Sequence, residues 1–379
     1  MKAFTSLKAG VLGGGQLGKM LIQPAMDLNI SLHILDPDKE APCSKLTPFF
    51  TQGSLQDYDQ VMEFGKDLDV LTIEIEKVNT KALKDLQKKG VQVFPQPEII
   101  SMIQDKRLQK KYYQENGFPT SEFVLLESEA DIAKHESFLP AFQKSARDGY
   151  DGRGVQKISS LADIEKALPG EGLLEKAVDI KKEIAVIVSR NIDGETSAFP
   201  AVELVYHEGQ NLVDYLIAPA EIKPEIETRA KELALSLVDK LSFVGLLAVE
   251  MFVDQQENVL INEIAPRPHN SGHQTIEANI TSQYEQHLRA ILNLPAGDTA
   301  LMCPSAMVNL LGEPGYEGEA HYEGIEKILA VSGVHVHLYG KKITKPYRKM
   351  GHVTITGSFR AELAEKVELV KNYCKVISK

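Results

Sequence analysis

Short apolar runs alternate with amphipathic stretches up to about residue 100. Lys8 to Leu12, Ser31 to Leu35, Val70 to Ile75 and Val91 to Phe94 read as strands, and the charged stretch Thr80 to Lys89 reads as a helix between the last two. That alternation predicts a small doubly wound sheet. Beyond it the pattern changes. A polar helix from Lys106 to Asn116 ends at Gly117 and Pro119, and the strands Ala141 to Ala146, Val155 to Ile158, Glu171 to Lys176, Glu183 to Ser189 and Ser197 to Val202 then follow one another as in an antiparallel sheet. Helices are expected at Glu225 to Leu241 and Thr275 to Asn293. Past residue 300, Gly and Pro recur, and two strands, Val334 to Tyr339 and His352 to Thr356, precede a final helix at Glu362 to Ile377. The pattern thus divides a chain of α/β and α+β class into three parts, 1–103, 104–298 and 299–379, the last a small C-terminal domain.

The stretch Leu246 to His273 carries the densest chemistry. Leu246 to Val253 and Val259 to Ile264 are rich in Val, Leu, Ile and Phe, and DQQEN between them supplies a turn, so an antiparallel hairpin is expected. A turn centred between Gln256 and Glu257 would set Val253 against Leu260 and Glu250 against Glu263. Facing like charges repel, which points to a bound cation, and oxygen ligands point to Mg²⁺ or Mn²⁺ shared with substrate phosphates. The blander alternative has one glutamate in solvent. The run APRPHNSGH that follows has prolines that forbid a helix, leaving Arg267, His269, Asn270, Ser271 and His273 on a loop suited to anions.

Two glycine-rich segments add candidates. Gly13, Gly15 and Gly18 fit GxGxxG after a strand, with Asp36 about 20 residues on, as in a dinucleotide site. Gly149, Gly152 and Gly154, interleaved with Asp148, Tyr150, Asp151 and Arg153, follow Lys144 and suit a lid over phosphates, more glycine than a plain hairpin turn needs. The EKAV run, Glu175 to Val178, could offer a strand edge to an adenine ring while Glu183 holds a ribose hydroxyl.

Composition narrows the class. The 379 residues are 43% hydrophobic and 25% charged with a net charge of -11, as for a soluble globular protein without the basic face that nucleic acid requires. Three scattered cysteines, Cys43, Cys303 and Cys374, give neither a disulfide framework nor a zinc cluster, and no apolar run approaches membrane length. A cytoplasmic protein is expected, with no nucleic-acid or membrane partner.

KSARDGYDGRG, EKAVDIKKE, VEMFV, NEIAPRPHNSGH, the opening GGGQLGKM and the late YRKMGHV together resemble the 5-(carboxyamino)imidazole ribonucleotide synthases, over essentially the whole chain. The resemblance implies an ATP-grasp ligase of purine biosynthesis: an N-terminal Rossmann-like pre-ATP-grasp domain that does not hold NAD, a central ATP-grasp domain, a small C-terminal domain and a homodimer. It implies that MgATP activates bicarbonate and that the amine of aminoimidazole ribonucleotide is carboxylated.

By the same resemblance, Lys106, Lys144 and the loop Gly149, Tyr150, Asp151, Gly152, Arg153, Gly154 and Val155 would contact the ATP phosphates. Glu175, Lys176, Ala177 and Val178 would form the adenine hinge, Glu183 would hold the ribose, and Glu250 and Glu263 would hold the metal beside Asn262. Asp151, Arg153, Arg267 and His273 would be catalytic, with Asp151 or His273 as base, and His269 and Asn270 would face substrate. Gln16, Leu17, Lys341, Arg348 and Lys349 would hold the ribotide phosphate. Three departures stand out: Lys106 beside Arg107 where an arginine is usual, Asp148 in the lid, and Tyr206 before His207 where a histidine is usual near ATP. The competing readings are a formate-dependent glycinamide ribonucleotide transformylase, a biotin carboxylase, or a NAD-binding dehydrogenase.

Overall fold

The computed structural model describes residues 4–147, 149, 154–206 and 213–379. The N-terminal part is a five-stranded, all-parallel sheet in the spatial order Phe50–Gln52, Leu32–Asp36, Ala9–Leu12, Val70–Ile73, Gln92–Val93. Its central strand is buried along its length, as expected for a strand covered on both faces. The edge strand Phe50–Gln52 escapes the sequence pattern because it is short and mostly exposed.

The central part carries two antiparallel sheets. One has four strands in the order Phe123–Leu126, Gly172–Lys176, Ala141–Ser145, Val155–Ile158. The other has nine, running from Val259–Ala265 through Gly245–Asp254, Ile180–Arg190, Val202–Tyr206, Val213–Ala218, Ser305–Leu311 and Lys349–Thr356 to Val334–Leu338, with Thr196–Ala198 beside Ile180–Arg190. Helix Pro224–Lys240 lays Ala230, Leu233, Ala234 and Leu237 on this sheet against Ile184, Val186, Val249 and Met251. Deleting Leu237 to alanine in such a setting costs about 2–5 kcal/mol. Strands from beyond residue 300 complete the same sheet, so the C-terminal part is continuous with the central one.

Three expectations of continuous structure fail locally. Ser197 to Val202 is two strands, Thr196–Ala198 and Val202–Tyr206, interrupted around Pro200, whose missing N–H cannot join a ladder. Thr275 to Asn293 is two helices, Thr275–Ala278 and Gln283–Ile291, the second restarted by the Ser282 hydroxyl accepting from Glu285 N at 3.2 Å. The last helix stops at Tyr373, and Lys375–Ser378 forms a strand against Gly318–Glu323, where alternating Val376 and Ile377 suit a sheet better.

Candidate active site

The hairpin meets its expectation by a route the sequence did not reveal. Val253 pairs with Val259, not Leu260, because Asp254 closes the turn by accepting from Gln256 N and Asn258 N. The register then shifts between Met251, which faces Ile261, and Glu250, which faces Glu263. The extra residue is Asn262, and this bulge restores the opposition of the two glutamates while turning the Asn262 amide toward Lys144, 2.9 Å away.

Around that pair the charges are finely distributed. Burial, then Glu263 and Glu183, push the Glu250 carboxyl up to about 8, whereas the Lys106 ammonium, 2.5 Å from Glu263 Oε2, holds Glu263 well below the usual carboxylate range. Of the two opposed carboxylates, Glu263 is the one paired with Lys106. Among the described residues no group of three or more His, Cys, Asp or Glu suited to a metal occurs. The donor set of Glu250, Glu263 and the Asn262 amide oxygen is all oxygen, which fits a hard divalent cation whose remaining ligands come from phosphates or water.

Lys106 rather than Arg107 reaches this centre. Asp105 caps helix Lys106–Glu115 through Arg107 N and also grips the Arg107 guanidinium at 2.9 and 3.1 Å, and Glu171 takes it from the other side at 2.8 Å. Arg107 is held away, and the adjacent side chain points inward.

A second buried charge group lies behind. Glu175 is 3% exposed and sits between Lys144 at 3.0 Å and Lys110 at 3.3 Å, with Ser121 donating at 2.8 Å. Burial opposes its ionisation, but the two lysines outweigh it and keep the carboxylate below its ordinary pKa. Burial lowers Lys110 to about 8. Lys110 also donates to Thr120 Oγ1 at 2.6 Å, and that hydroxyl donates to Ile261 O at 2.6 Å, so one side chain ties the Lys106 helix to the glutamate strand. Neither Lys110 nor this role for Glu175 follows from the sequence. Along the expected hinge, the amides of Lys176 and Ala177 donate to Glu122 O and Pro140 O, and half-buried Val178 follows them.

Glu183 lies on the strand next to the hairpin, with its carboxyl raised by burial and hydrogen-bonded by Tyr206, the residue that departs from the family pattern. Lys144 pairs in register with Val155, and Gly154, at φ +74°, closes the turn by accepting from Ser145 N. A side chain on Gly154 would press on Gly149 at 3.1 Å. Asp148, Tyr150, Asp151, Gly152, Arg153 and His207 lie outside the described residues.

The proline loop meets both neighbouring parts. Arg267 pairs with Glu76 of the N-terminal part at 2.9 Å, and His269 Nε2 is 3.6 Å from Glu250. The Asn270 amide oxygen is buried without a hydrogen-bond partner among the described residues. His273 is fully buried, and burial together with His269 and Lys349 drives its pKa well below normal. Lys19, which the sequence reading passed over, donates to Leu338 O at 2.7 Å, and Lys341 donates to Lys349 O at 2.8 Å, so these lysines gather beside the start of helix Gln16–Asp27. Arg348 donates from Nη1 to Ile343 O at 2.6 Å.

The glycine loop is satisfied from within at three of its amides. Gly14 N donates to Asp36 at 2.7 Å, while Gly15 N and Gly18 N donate to the two oxygens of Glu74 at 2.5 Å each. The anion cradled at this helix start is an internal carboxylate, so those amides do not supply a phosphate cradle. Leu17 packs in the core with Met20 and Tyr284 and can offer substrate only its backbone, whereas Gln16 is half-buried at the helix start.

Comparisons with known proteins agree with this geometry. Residues 7–104 match the ribonucleotide synthetase preATP-grasp domain, 111–284 the ATP-grasp domain, and 305–366 the phosphoribosylaminoimidazole carboxylase C-terminal domain. The chain is 37% identical to the N5-carboxyaminoimidazole ribonucleotide synthase of Bacillus subtilis, over 91% of this chain and 90% of that protein. It superposes on the N5-carboxyaminoimidazole ribonucleotide synthetase of Thermotoga maritima with a TM-score of 0.92 at 40% identity, covering 98% of this chain and all of that one. The Aspergillus clavatus synthase, solved in complex with ADP and 5-aminoimidazole ribonucleotide, superposes with a TM-score of 0.90 at 34% identity, covering 98% and 99% of the two chains.

Proposed function

The chain belongs to the N5-carboxyaminoimidazole ribonucleotide synthase family, and we infer that it catalyses the ATP-dependent carboxylation of 5-aminoimidazole ribonucleotide by bicarbonate, yielding the N5-carboxyamino product, ADP and phosphate in purine biosynthesis. The observation that carries the mechanism is the opposition of Glu250 and Glu263 beside Lys106, Lys144 and Asn262.

We assign the parts as follows. Glu250 and Glu263 would hold Mg²⁺, which when bound supplies positive charge to the triphosphate. Lys106 and Lys144 would lie along the phosphates, and positioning with charge neutralisation carries most of such a transfer. Lys144 keeps its place through Glu175, which Lys110 anchors from behind. Glu183 and the Glu175 to Val178 edge would take the nucleoside. Arg267, His269, Asn270 and His273 would face bicarbonate and the imidazole, and Gln16, Leu17, Lys341, Arg348 and Lys349 would take the ribotide phosphate. Asp151 and Arg153 would act from the lid, which must exclude water while the activated carboxyl group is transferred.

The proposed division into 1–103, 104–298 and 299–379 draws support from the family spans. We further propose a cytoplasmic homodimer without nucleic-acid or membrane partners. In support, all three cysteines are unpaired, the net charge is -11, and no helix among the described residues is long and apolar enough to cross a membrane. Light scattering tests the dimer. The test of function is phosphate release with MgATP, bicarbonate and the ribonucleotide, each omitted in turn. Release that needs the ribonucleotide supports the reading. Release driven instead by formate and glycinamide ribonucleotide overturns it.

A further inference from the structure

Behind the proline loop lies a buried amide whose orientation is not free. Gln283 opens helix Gln283–Ile291 with its side chain fully buried. Its Oε1 accepts from His269 N at 2.9 Å and its Nε2 donates to His269 O at 2.8 Å. Backbone N–H only donates and C=O only accepts, so these two bonds fix which end of the amide is which, an assignment that otherwise depends on interpretation.

The consequence reaches His273. The second hydrogen of Gln283 Nε2 faces His273 Nδ1, 3.2 Å away. An amide nitrogen cannot accept, so Nδ1 must, and an accepting ring nitrogen carries no proton. Tyr284 Oη, 3.0 Å from the same nitrogen and 3.3 Å from Met20 Sδ, is a hydroxyl and adapts by donating to either. Turning the ring over would set a carbon where Nδ1 meets Gln283 Nε2 and Tyr284 Oη and forfeit both contacts, while His352 at 4.6 Å and Tyr339 at 6.4 Å pack around the ring in either orientation. Burial and the neighbouring His269, Lys349, His337 and Arg267 disfavour a second ring proton.

We propose that Gln283 is a positioning residue that fixes the His269 backbone and holds the His273 imidazole with its single proton on Nε2, so that His273 offers substrate a hydrogen-bond donor rather than a base. The inference rests on the proposed function in that His273 faces the substrates there. It removes His273 from the candidates for taking the amine proton and gives it the task of binding a carboxyl or phosphoryl oxygen. Gly272 leaves room for this arrangement, since a side chain at that position would meet both Ile187 and Gln283.

Two measurements test this on the full-length protein. In the [¹⁵N]histidine-labelled enzyme, with His273 assigned from the resonances lost in His273→Asn, the ring should show an unprotonated Nδ1 and a protonated Nε2 at neutral pH. The reverse pattern, or a doubly protonated ring, overturns the proposal. Second, Gln283→Met should lower kcat by roughly 10- to 100-fold, the range for residues that orient a functional histidine, with little change in KM for ATP. Gln283→Glu, which places an acceptor opposite Nδ1, should move the ring proton to Nδ1. Unchanged nitrogen shifts in Gln283→Glu, or full kcat in Gln283→Met, would contradict the assignment. The shifts do not depend on which substrate is used, so failure to carboxylate aminoimidazole ribonucleotide would count against the function and not against the tautomer.

Discussion

The glycine loop at Gly13–Gly18 and the hairpin carrying Glu250 and Glu263 both advertise a charged ligand, and they differ in what the rest of the chain does about it. At the loop, three amides that could cradle phosphate are taken by Asp36 and Glu74. At the hairpin, two carboxylates face each other and only Glu263 is paired with Lys106, with Glu250 raised by its burial and by the facing Glu263. A binding motif is a site only where its valence remains open after folding. By that criterion the dinucleotide reading loses its basis and the metal reading gains one.

Substitutions should separate the two regions by size of effect. The largest belongs to the hairpin. Glu263→Gln keeps the shape of the side chain but removes a charge, so turnover should fall by more than the roughly 10- to 100-fold that outer-shell partners cost, with the thermal midpoint close to wild type. Phosphate release and a melting scan measure both, and near-normal turnover would equate the hairpin with the internally satisfied loop. Next comes the region behind it. Lys110→Met leaves Glu175 with one cation instead of two, and a broken buried pair costs about 3–5 kcal/mol, an upper range because Lys144 remains. Denaturant unfolding should show the loss, and KM for ATP should rise as Lys144 is drawn toward Glu175.

At the loop the expected effect is on stability and not on nucleotide. Glu74→Ala strips the acceptor from Gly15 N and Gly18 N, at about 1–3 kcal/mol for each amide left unpaired. ATP affinity by calorimetry should stay within about twofold of wild type, below the roughly 1.4 kcal/mol that a tenfold change represents. A large loss of ATP affinity would mean that the loop serves the nucleotide after all.

The smallest effect comes from the strut between the regions. His287 Nε2 lies 2.9 Å from Thr72 Oγ1, joining the N-terminal sheet to the helix behind the glutamate hairpin, and burial lowers its pKa to about 3. Above about 6.5, the unfolded value, neither state is protonated there and the group is neutral to stability. As pH falls from 6.5 toward 3 only the unfolded chain takes the proton, so stability drops by about 1.4 kcal/mol per pH unit. His273 and His352, also lowered by burial, act in the same direction. His287→Asn should flatten the pH dependence of the unfolding free energy between pH 6.5 and 5; an unchanged slope would show that this histidine is protonated in the native state.

Much of this was legible in the chain because it depends on local pattern. Short apolar runs located most strands, and DQQEN located the turn. Opposition of the glutamates was expected from a register that is wrong beside the turn, where Val253 meets Val259, and was restored by the bulge at Asn262, which no periodicity announces. Gln283, Lys110 and Glu74 stayed hidden for another reason. Each is polar in a helix or strand that reads as ordinary, and its partners lie far away in sequence, so only folding brings Gln283 to His269, Lys110 to Glu175, or Glu74 to the glycine amides.

The account turns on a divalent cation between Glu250 and Glu263, and crystals grown with Mn²⁺ and a non-hydrolysable ATP analogue test it directly through anomalous scattering. The account predicts a peak within coordinating distance of both carboxylates, about 2.0–2.3 Å, with phosphate oxygens completing the shell. A manganese peak elsewhere on the nucleotide, with Lys106 still on Glu263 and Glu250 bound to no metal, would contradict it.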